Sequence, residues 1–207
     1  MKKIATGLAA TALLGAAIGA PASALAGDYG KVKFGAKLTS EVQPSNSVPG
    51  LACDEMDPAA LCTFVMNEAY GRPGQEKSPK KGKLKKIKMV AGEAGDYRVQ
   101  LVKARYKNGH WEAKVKKNGP MIHVEGQEQY NWDNDDYKVE KFKIGMEIKK
   151  GWRIALQGYG TSAIRCSSGG DNTLIYKPQL HEGWGWQTAT DDDGCYPLVE
   201  GVVKYRK

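Results

Sequence analysis

The stretch YKVEKFKIGMEIKKGWRIALQGYG, residues 137–160, decides the fold class. Apolar and polar side chains alternate over 137–148 and again over 152–160, which is typical of strands that bury one face. A Lys-Lys-Gly sequence between the two segments indicates a turn. The alternation changes phase at Lys141 and Phe142, and such a change predicts a β-bulge or bend. The stretch therefore predicts two strands joined by a short turn.

Apolar and polar residues alternate with the same period of two in most of the remaining chain. An Asn-Gly-Pro turn is expected between two of these strands, and an irregularity at Lys85 and Lys86 in another. No segment longer than two turns has helical periodicity, and no repeat of fixed period is visible. The pattern predicts an all-β fold, an antiparallel β-sandwich of jelly-roll-like arrangement. The predicted strands are 31–39, 62–70, 84–92, 97–106, 111–119, 121–130, 137–148, 152–160, 173–177 and 198–206.

The first 26 residues have the pattern of a secretory signal peptide. Lys2 and Lys3 precede an apolar run, and the segment ends in the small-residue sequence Ala24-Leu25-Ala26. Residues 27–207 then form a single β-sandwich domain. No other segment approaches the roughly 18 apolar residues of a membrane-spanning helix. The expected location is secreted, in association with the cell envelope.

The chain carries a net charge of +8, which falls to +6 when Lys2 and Lys3 leave with the leader. Much of the excess lies in KSPKKGKLKKIK, residues 77–88. A basic exported protein suits an anionic envelope polymer, an anionic polysaccharide or lipid headgroups as a partner. No nucleic-acid-binding motif is present. The sequence favours a simpler interpretation of the run, as an exposed charge cluster that protects a strand edge.

Four cysteines, at 53, 62, 166 and 195, predict two disulfides in an oxidising compartment. Three pairings are open, and the sequence alone does not choose among them. We expect Cys53–Cys62 and Cys166–Cys195, because each pair lies within one turn-rich region. Neither pair has the short spacing that zinc sites prefer.

Three blocks, 139–156, 165–174 and 193–203, resemble a group of exported bacterial β-sandwich proteins. The shared residues include IKKGWRIAL, RCSSGGDNTL and DGCYPLVEGVV, and the resemblance begins near Leu84. It implies the sandwich fold and the Cys166–Cys195 pairing. It implies no activity.

The segment HEGWGWQTATDDDGC, residues 181–195, is the predicted ligand-binding region. Exposed tryptophan and tyrosine rings can stack on the apolar face of a sugar while their polar edges form hydrogen bonds. A core position for some of these rings is the alternative, since large aromatic side chains are often buried. The predicted ligand-binding residues are Trp184, Trp186, Tyr159, Tyr176 and His181.

The segment RCSSGGDN, residues 165–172, has the composition of a loop around a serine nucleophile. Ser167 or Ser168 would need His181 as a base and an aspartate to orient it. However, no G-x-S-x-G sequence and no following helix are present. The sequence favours a turn that leads from Cys166 into the strand at 173–177.

Two acidic clusters, 133–136 and 191–193, offer oxygen ligands that suit Ca²⁺. Neither matches the EF-hand pattern. Asp191, Asp192 and Asp193 are the predicted metal ligands, because a disulfide at Cys195 would order them. No other cofactor is indicated.

Taken together, these features predict a secreted, non-catalytic binding module for carbohydrate or a cell-envelope polymer. The alternatives are a structural or interaction protein of the envelope and a serine hydrolase. The sequence specifies neither the ligand nor the oligomeric state.

Overall fold

The computed structural model describes residues 28–38, 60–90, 94–126, 138–159 and 166–207, without the side chains of residues 159, 166–172 and 193. The predicted signal peptide, Cys53 and the acidic cluster at 133–136 lie outside the described residues. Over the ranges that are described, every regular element is a strand. None of these ranges contains a helix long and apolar enough to cross a membrane.

The strands pair antiparallel in two sheets. Four strands form one sheet in the order β1-β11-β3-β6, and seven form the other in the order β10-β8-β2-β7-β4-β5-β9. The all-β, antiparallel prediction is confirmed. The strands are β1 Tyr29–Gly35, β2 Leu61–Met66, β3 Gly82–Met89, β4 Gly95–Lys107, β5 His110–Val124, β6 Glu140–Ile148, β7 Arg153–Tyr159, β8 Cys166–Tyr176, β9 Gln187–Thr188, β10 Asp191–Pro197 and β11 Val199–Arg206.

One hydrophobic core joins the two sheets. The four-stranded sheet contributes alternate residues such as Phe34 and Leu84, and the seven-stranded sheet contributes Phe64, Tyr97 and Leu156, all at most 2 % exposed. The two sheets therefore bury one face each against the other, as the alternation at 137–160 predicts. The jelly-roll arrangement stays a prediction.

The seven-stranded sheet curls into half of a barrel. The Ala189 amide donates to the Trp111 carbonyl of β5 at 2.8 Å, and the next amide, of Thr190, donates to the Ile175 carbonyl of β8 at 2.9 Å. Because three strands separate β5 from β8 in the sheet order, these consecutive bonds require strong curvature. The curl encloses a second cluster, the inner cluster, of Val65, Val102, Ala113, Val115, Ala155, Leu174, Tyr176 and Leu180.

The segment 177–190 closes the inner cluster and is tied down by buried polar groups. The Gln100 side-chain amide donates to the Leu180 carbonyl at 3.1 Å and to Asn118 Oδ1 at 2.9 Å. The Leu180 amide donates to Thr63 Oγ1 at 3.0 Å. These bonds satisfy polar atoms that would otherwise be costly to bury. Central strands of this sheet are consequently buried on both faces.

Three local predictions have different outcomes. The predicted bulge at Lys141 and Phe142 is wrong, because both residues pair in regular register with β3 and the shift lies between Lys143 and Met146. The irregularity at the double lysine is confirmed, since the pairing of β3 with β6 shifts between Leu84 and Lys86. The predicted turn at Asn-Gly-Pro is wrong, because β5 runs without a break through Gly119 and Pro120. The pairing with β4 shifts at this point, and such a bulge accommodates the missing amide hydrogen of proline. A Cβ on Gly119 would lie 2.8 Å from the backbone oxygen of Val99, so the close approach of β4 favours glycine here.

Two of the four cysteines have described side chains. Cys62 is fully buried and Cys195 is 1 % exposed, both in the core between the sheets, and neither is a free thiol. The strand register places the backbone of Cys166 opposite Pro197, two residues from Cys195. Cys53 and the side chain of Cys166 lie outside the described part of the chain. The Cys53–Cys62 and Cys166–Cys195 pairings therefore stay predictions.

Candidate functional site

The outward face of the four-stranded sheet is lined with lysines. Apolar residues such as Phe34 and Ile87 face the core, so the residues next to them along each strand face outward. On β1 and β3 these outward positions are mainly lysines, and β6 and β11 add further lysines. We call this surface the lysine face: Lys31 and Lys33 on β1, Lys83, Lys85, Lys86 and Lys88 on β3, Lys141 and Lys143 on β6, and Lys204 on β11.

A groove of about 920 Å³ runs along this face. Its floor is β11, where Val202 is 7 % exposed, and its walls are the lysines of β1 and β3. Lysine stems are apolar and can cover a buried valine while their ammonium groups stay in water. Six lysines line the groove: Lys31, Lys33, Lys85, Lys86, Lys88 and Lys204.

Lysines on this face lie directly opposite one another across the strands. Lys204 pairs with Lys31 on one side and with Lys83 on the other. Between β3 and β6, two further lysine pairs lie opposite one another, Lys86 with Lys143 and Lys88 with Lys141. Like charges in such positions destabilise a sheet. Each such pair is therefore unfavourable to the stability of the sheet.

Glu200 of β11 is the buried acidic group of this face. Its carboxylate is fully buried and lies 2.9 Å from Lys88 Nζ, 3.5 Å from Lys33 Nζ and 3.0 Å from Arg72 Nη2. Burial raises the pKa of the Glu200 carboxyl, but the hydrogen bond from Lys88 and the three positive charges outweigh it, so the pKa is lowered. Glu200 therefore joins the lysine face to the loop that carries Arg72.

We expect a Glu200→Gln variant to differ from the wild type in its stability against pH. A carboxyl whose pKa is lower in the folded protein stabilises the fold above its unfolded pKa of about 4.5. That contribution disappears as pH falls through the lower, folded pKa. The wild-type advantage in free energy of unfolding should therefore be full at pH 7 and shrink in acid, as measured by urea denaturation. Glu147→Gln, at an exposed position of the same sheet, is the control. An advantage that grows in acid would contradict this assignment.

The predicted aromatic region is only partly exposed. Trp184 is 49 % exposed, and its ring centroid lies 4.4 Å from that of His181. Trp186 is half-buried, with the Arg105 guanidinium 3.9 Å from its ring centroid. One face of Trp186 is thus occupied, and Trp184 is the exposed ring of the pair. Ligand binding at these residues stays a prediction.

Tyr176 does not extend this surface. Tyr176 is 1 % exposed and belongs to the inner cluster, because the curl of the sheet buries both faces of β8 there. Burial raises the pKa of its hydroxyl far above the ordinary value. Tyr159 ends β7, and its side chain lies outside the described part of the chain.

The predicted calcium ligands are in a strand rather than a turn. Asp191, Asp192 and Asp193 belong to β10 and pair with β8. Asp191 and Asp192 are exposed, and neighbouring residues of a strand point to opposite faces. Among the described side chains, no group of three or more His, Cys, Asp or Glu residues could hold a metal ion. Calcium binding stays a prediction.

Residues 166–172 also belong to a strand. The sequence favoured a turn after Cys166, but residues Cys166–Tyr176 form one strand, β8, whose pairing with β10 is irregular opposite Gly194. Within this strand, however, residues 169–172 have no partner in β10, because Ser168 pairs with Cys195 and Thr173 pairs with Asp193. The turn after Cys166 stays a prediction. The side chains of Ser167 and Ser168 lie outside the described part, so the hydrolase alternative stays a prediction.

The sequence identified only part of the lysine face. The run at 77–88 includes the four lysines of β3, whereas the lysines of β1, β6 and β11 lie far away in the chain. In the sequence these lysines alternate with apolar residues, as in KVKF at 31–34, and this alternation indicates that they face away from the core. The strand-edge interpretation is wrong, since β3 lies between β11 and β6 inside the sheet.

Comparisons of the chain with protein-family models, curated proteins and solved structures found no match.

Proposed function

We propose that this protein is an exported, non-catalytic binding module whose lysine face binds an anionic polymer of the cell envelope. The observation that supports this most directly is the set of lysines opposite lysines across β1, β11, β3 and β6. Export is supported by the signal-peptide pattern of residues 1–26.

A repeating polyanion fits this surface better than a single small anion. Neighbouring strands are about 4.8 Å apart, and outward residues on one strand are about 6.8 Å apart. The lysines thus form a two-dimensional array of positive charge rather than one convergent pocket. A chain of phosphate or carboxylate groups could lie along the groove and contact several lysines at once. Each contact would also relieve repulsion between opposed lysines.

The low number of acids on the same face supports the proposal. Glu147 and Glu200 are the outward acidic residues on the four described strands, and Glu200 is already neutralised by Lys33, Lys88 and Arg72. Most of the lysine charge therefore remains available to a ligand. Such a surface attracts polyanions over a range of about 10 Å at moderate salt.

The proposal is tested by measuring binding to immobilised poly(glycerol phosphate), with uncharged dextran as the matched polymer. We expect binding to the polyanion and none to dextran. Affinity should fall steadily as salt rises from about 0.05 M to about 0.5 M, because ions screen exposed charges. Monomeric glycerol phosphate should compete weakly, since it contacts few lysines. Equal binding to dextran, or competition by the monomer at the same phosphate concentration as the polymer, would contradict the proposal.

A further inference from the structure

A second cleft lies at one end of the curled sheet, where β2 and β10 end and β5 and β7 begin. Its volume is about 500 Å³, within the range of small-molecule sites. The loop that follows β2 forms one wall, and no residue of the lysine face lines it. The open ends of curled sheets are common positions for such sites.

The floor of the cleft contains a buried arginine whose charge is already compensated. Arg153 is 2 % exposed, and its Nη1 donates to the carbonyls of Met66 and Asn67 at 2.9 and 3.0 Å and to Asn67 Oδ1 at 2.7 Å. Its Nη2 lies 3.7 Å from Glu76 Oε1. Because these groups hold the guanidinium in place, it shapes the floor and is a poor receptor for an anionic ligand.

Aromatic rings line the walls. Tyr70 and Tyr196 meet edge to face with centroids 5.7 Å apart, and Trp111 lies over Arg153, 5.4 Å from the guanidinium carbon. Rings of this kind offer flat apolar surfaces beside polar edges. Glu68 is exposed at the rim, with its carboxylate 3.5 Å from the Tyr196 hydroxyl. The cleft thus combines apolar faces with carboxylate acceptors.

The charges in the cleft balance. Glu68 and Glu76 are matched by Arg153 and Lys77, and Lys77 Nζ lies 3.0 Å from Glu76 Oε1. A ligand with net charge of either sign would lie beside a like charge. A neutral ligand with apolar faces and many hydroxyl donors avoids this conflict, because its hydroxyls can donate to the carboxylates while its faces stack on the rings.

From this geometry we propose that the cleft binds a neutral mono- or disaccharide, independently of the lysine face. A quaternary ammonium ligand, which aromatic rings also bind, would have to lie near Arg153 and Lys77. The neutral saccharide is the ligand class that agrees with both the rings and the charge balance.

The test is saturation-transfer NMR on the purified protein with a panel of glucose, galactose, mannose, N-acetylglucosamine and their disaccharides, and with choline. We expect saturation transfer to at least one saccharide and none to choline. Trp111→Ala should abolish the signal. Glu68→Gln, at an exposed rim position, should weaken binding about tenfold through the loss of one charge-assisted hydrogen bond. If Trp111→Ala does not fold, the Glu68→Gln variant shows whether the saccharide binds in the cleft.

Trp184→Ala tests the separate aromatic surface at Trp184. Tyr29→Ala is the matched control, since Tyr29 is an exposed ring outside the cleft. This control variant should leave saccharide binding unchanged. Rising salt should also leave it unchanged, and this distinguishes the cleft from the lysine face, whose binding weakens with salt. The proposal is overturned if no saccharide of the panel binds, if choline binds instead, or if Trp184→Ala removes binding while Glu68→Gln does not.

Discussion

An Arg153→Met variant is expected to lose about 3 to 5 kcal/mol of unfolding free energy, the range for removing one partner of a buried ion pair. Methionine fills much of the arginine volume, so the loss of stability comes mainly from the polar groups that no longer bond the guanidinium. The carbonyls of Met66 and Asn67 would lose their donor inside the curled sheet, and Glu76 would keep only its ion pair with Lys77. Burial lowers the pKa of the Arg153 guanidinium and Glu76 opposes that shift, so the pair is coupled.

The measurement is urea denaturation at pH 7, followed by circular dichroism. Arg206→Met, at an exposed position near the end of β11, is the control and should change stability by less than about 0.5 kcal/mol. The double variant Arg153→Met/Glu76→Gln should recover only the part of the loss that is due to the broken Arg153–Glu76 ion pair, since Lys77 still pairs with Glu76 in the single variant. A loss below about 1 kcal/mol in the single variant would show that Arg153 does not hold this end of the sheet together.

The second large effect is expected on polymer binding. Lys31→Gln/Lys86→Gln/Lys204→Gln removes three lysines that line the groove and do not contact Glu200. At about 1 kcal/mol per lysine near an anionic surface, the affinity for poly(glycerol phosphate) should fall roughly a hundredfold. The same variant should be at least as stable as the wild type, since it removes the opposition of Lys31 and Lys204.

A triple variant of the other sheet, Lys103→Gln/Lys107→Gln/Lys116→Gln, is matched in total charge. It should retain most of the affinity, because these exposed lysines lie outside the lysine face. Equal losses in the two triple variants would show that net charge, rather than the array on the four-stranded sheet, attracts the polymer.

The strands of the four-stranded sheet could be predicted from sequence, whereas the candidate sites could be predicted only in part. Segments such as KVKF at 31–34 and FKIGMEI at 142–148 alternate cleanly because one face of the strand meets the core and the other meets water. The lysine run at 77–88 was visible for the same reason. Its partners on β1, β6 and β11 were not, since cross-strand register is a long-range property.

The sequence by itself determined that the chain forms antiparallel strands, where one of them bulges, and that lysines cover an outward surface. Alternation and turn composition are local, so they can be read without knowing what a strand pairs with. Only the tertiary structure decided that β2, β7 and the middle of β4 are buried on both faces, that Arg153 lies at the floor of a cleft, and that Asn-Gly-Pro continues a strand. These features arise when a seven-stranded sheet curls on itself, and curvature depends on contacts between residues far apart in the chain.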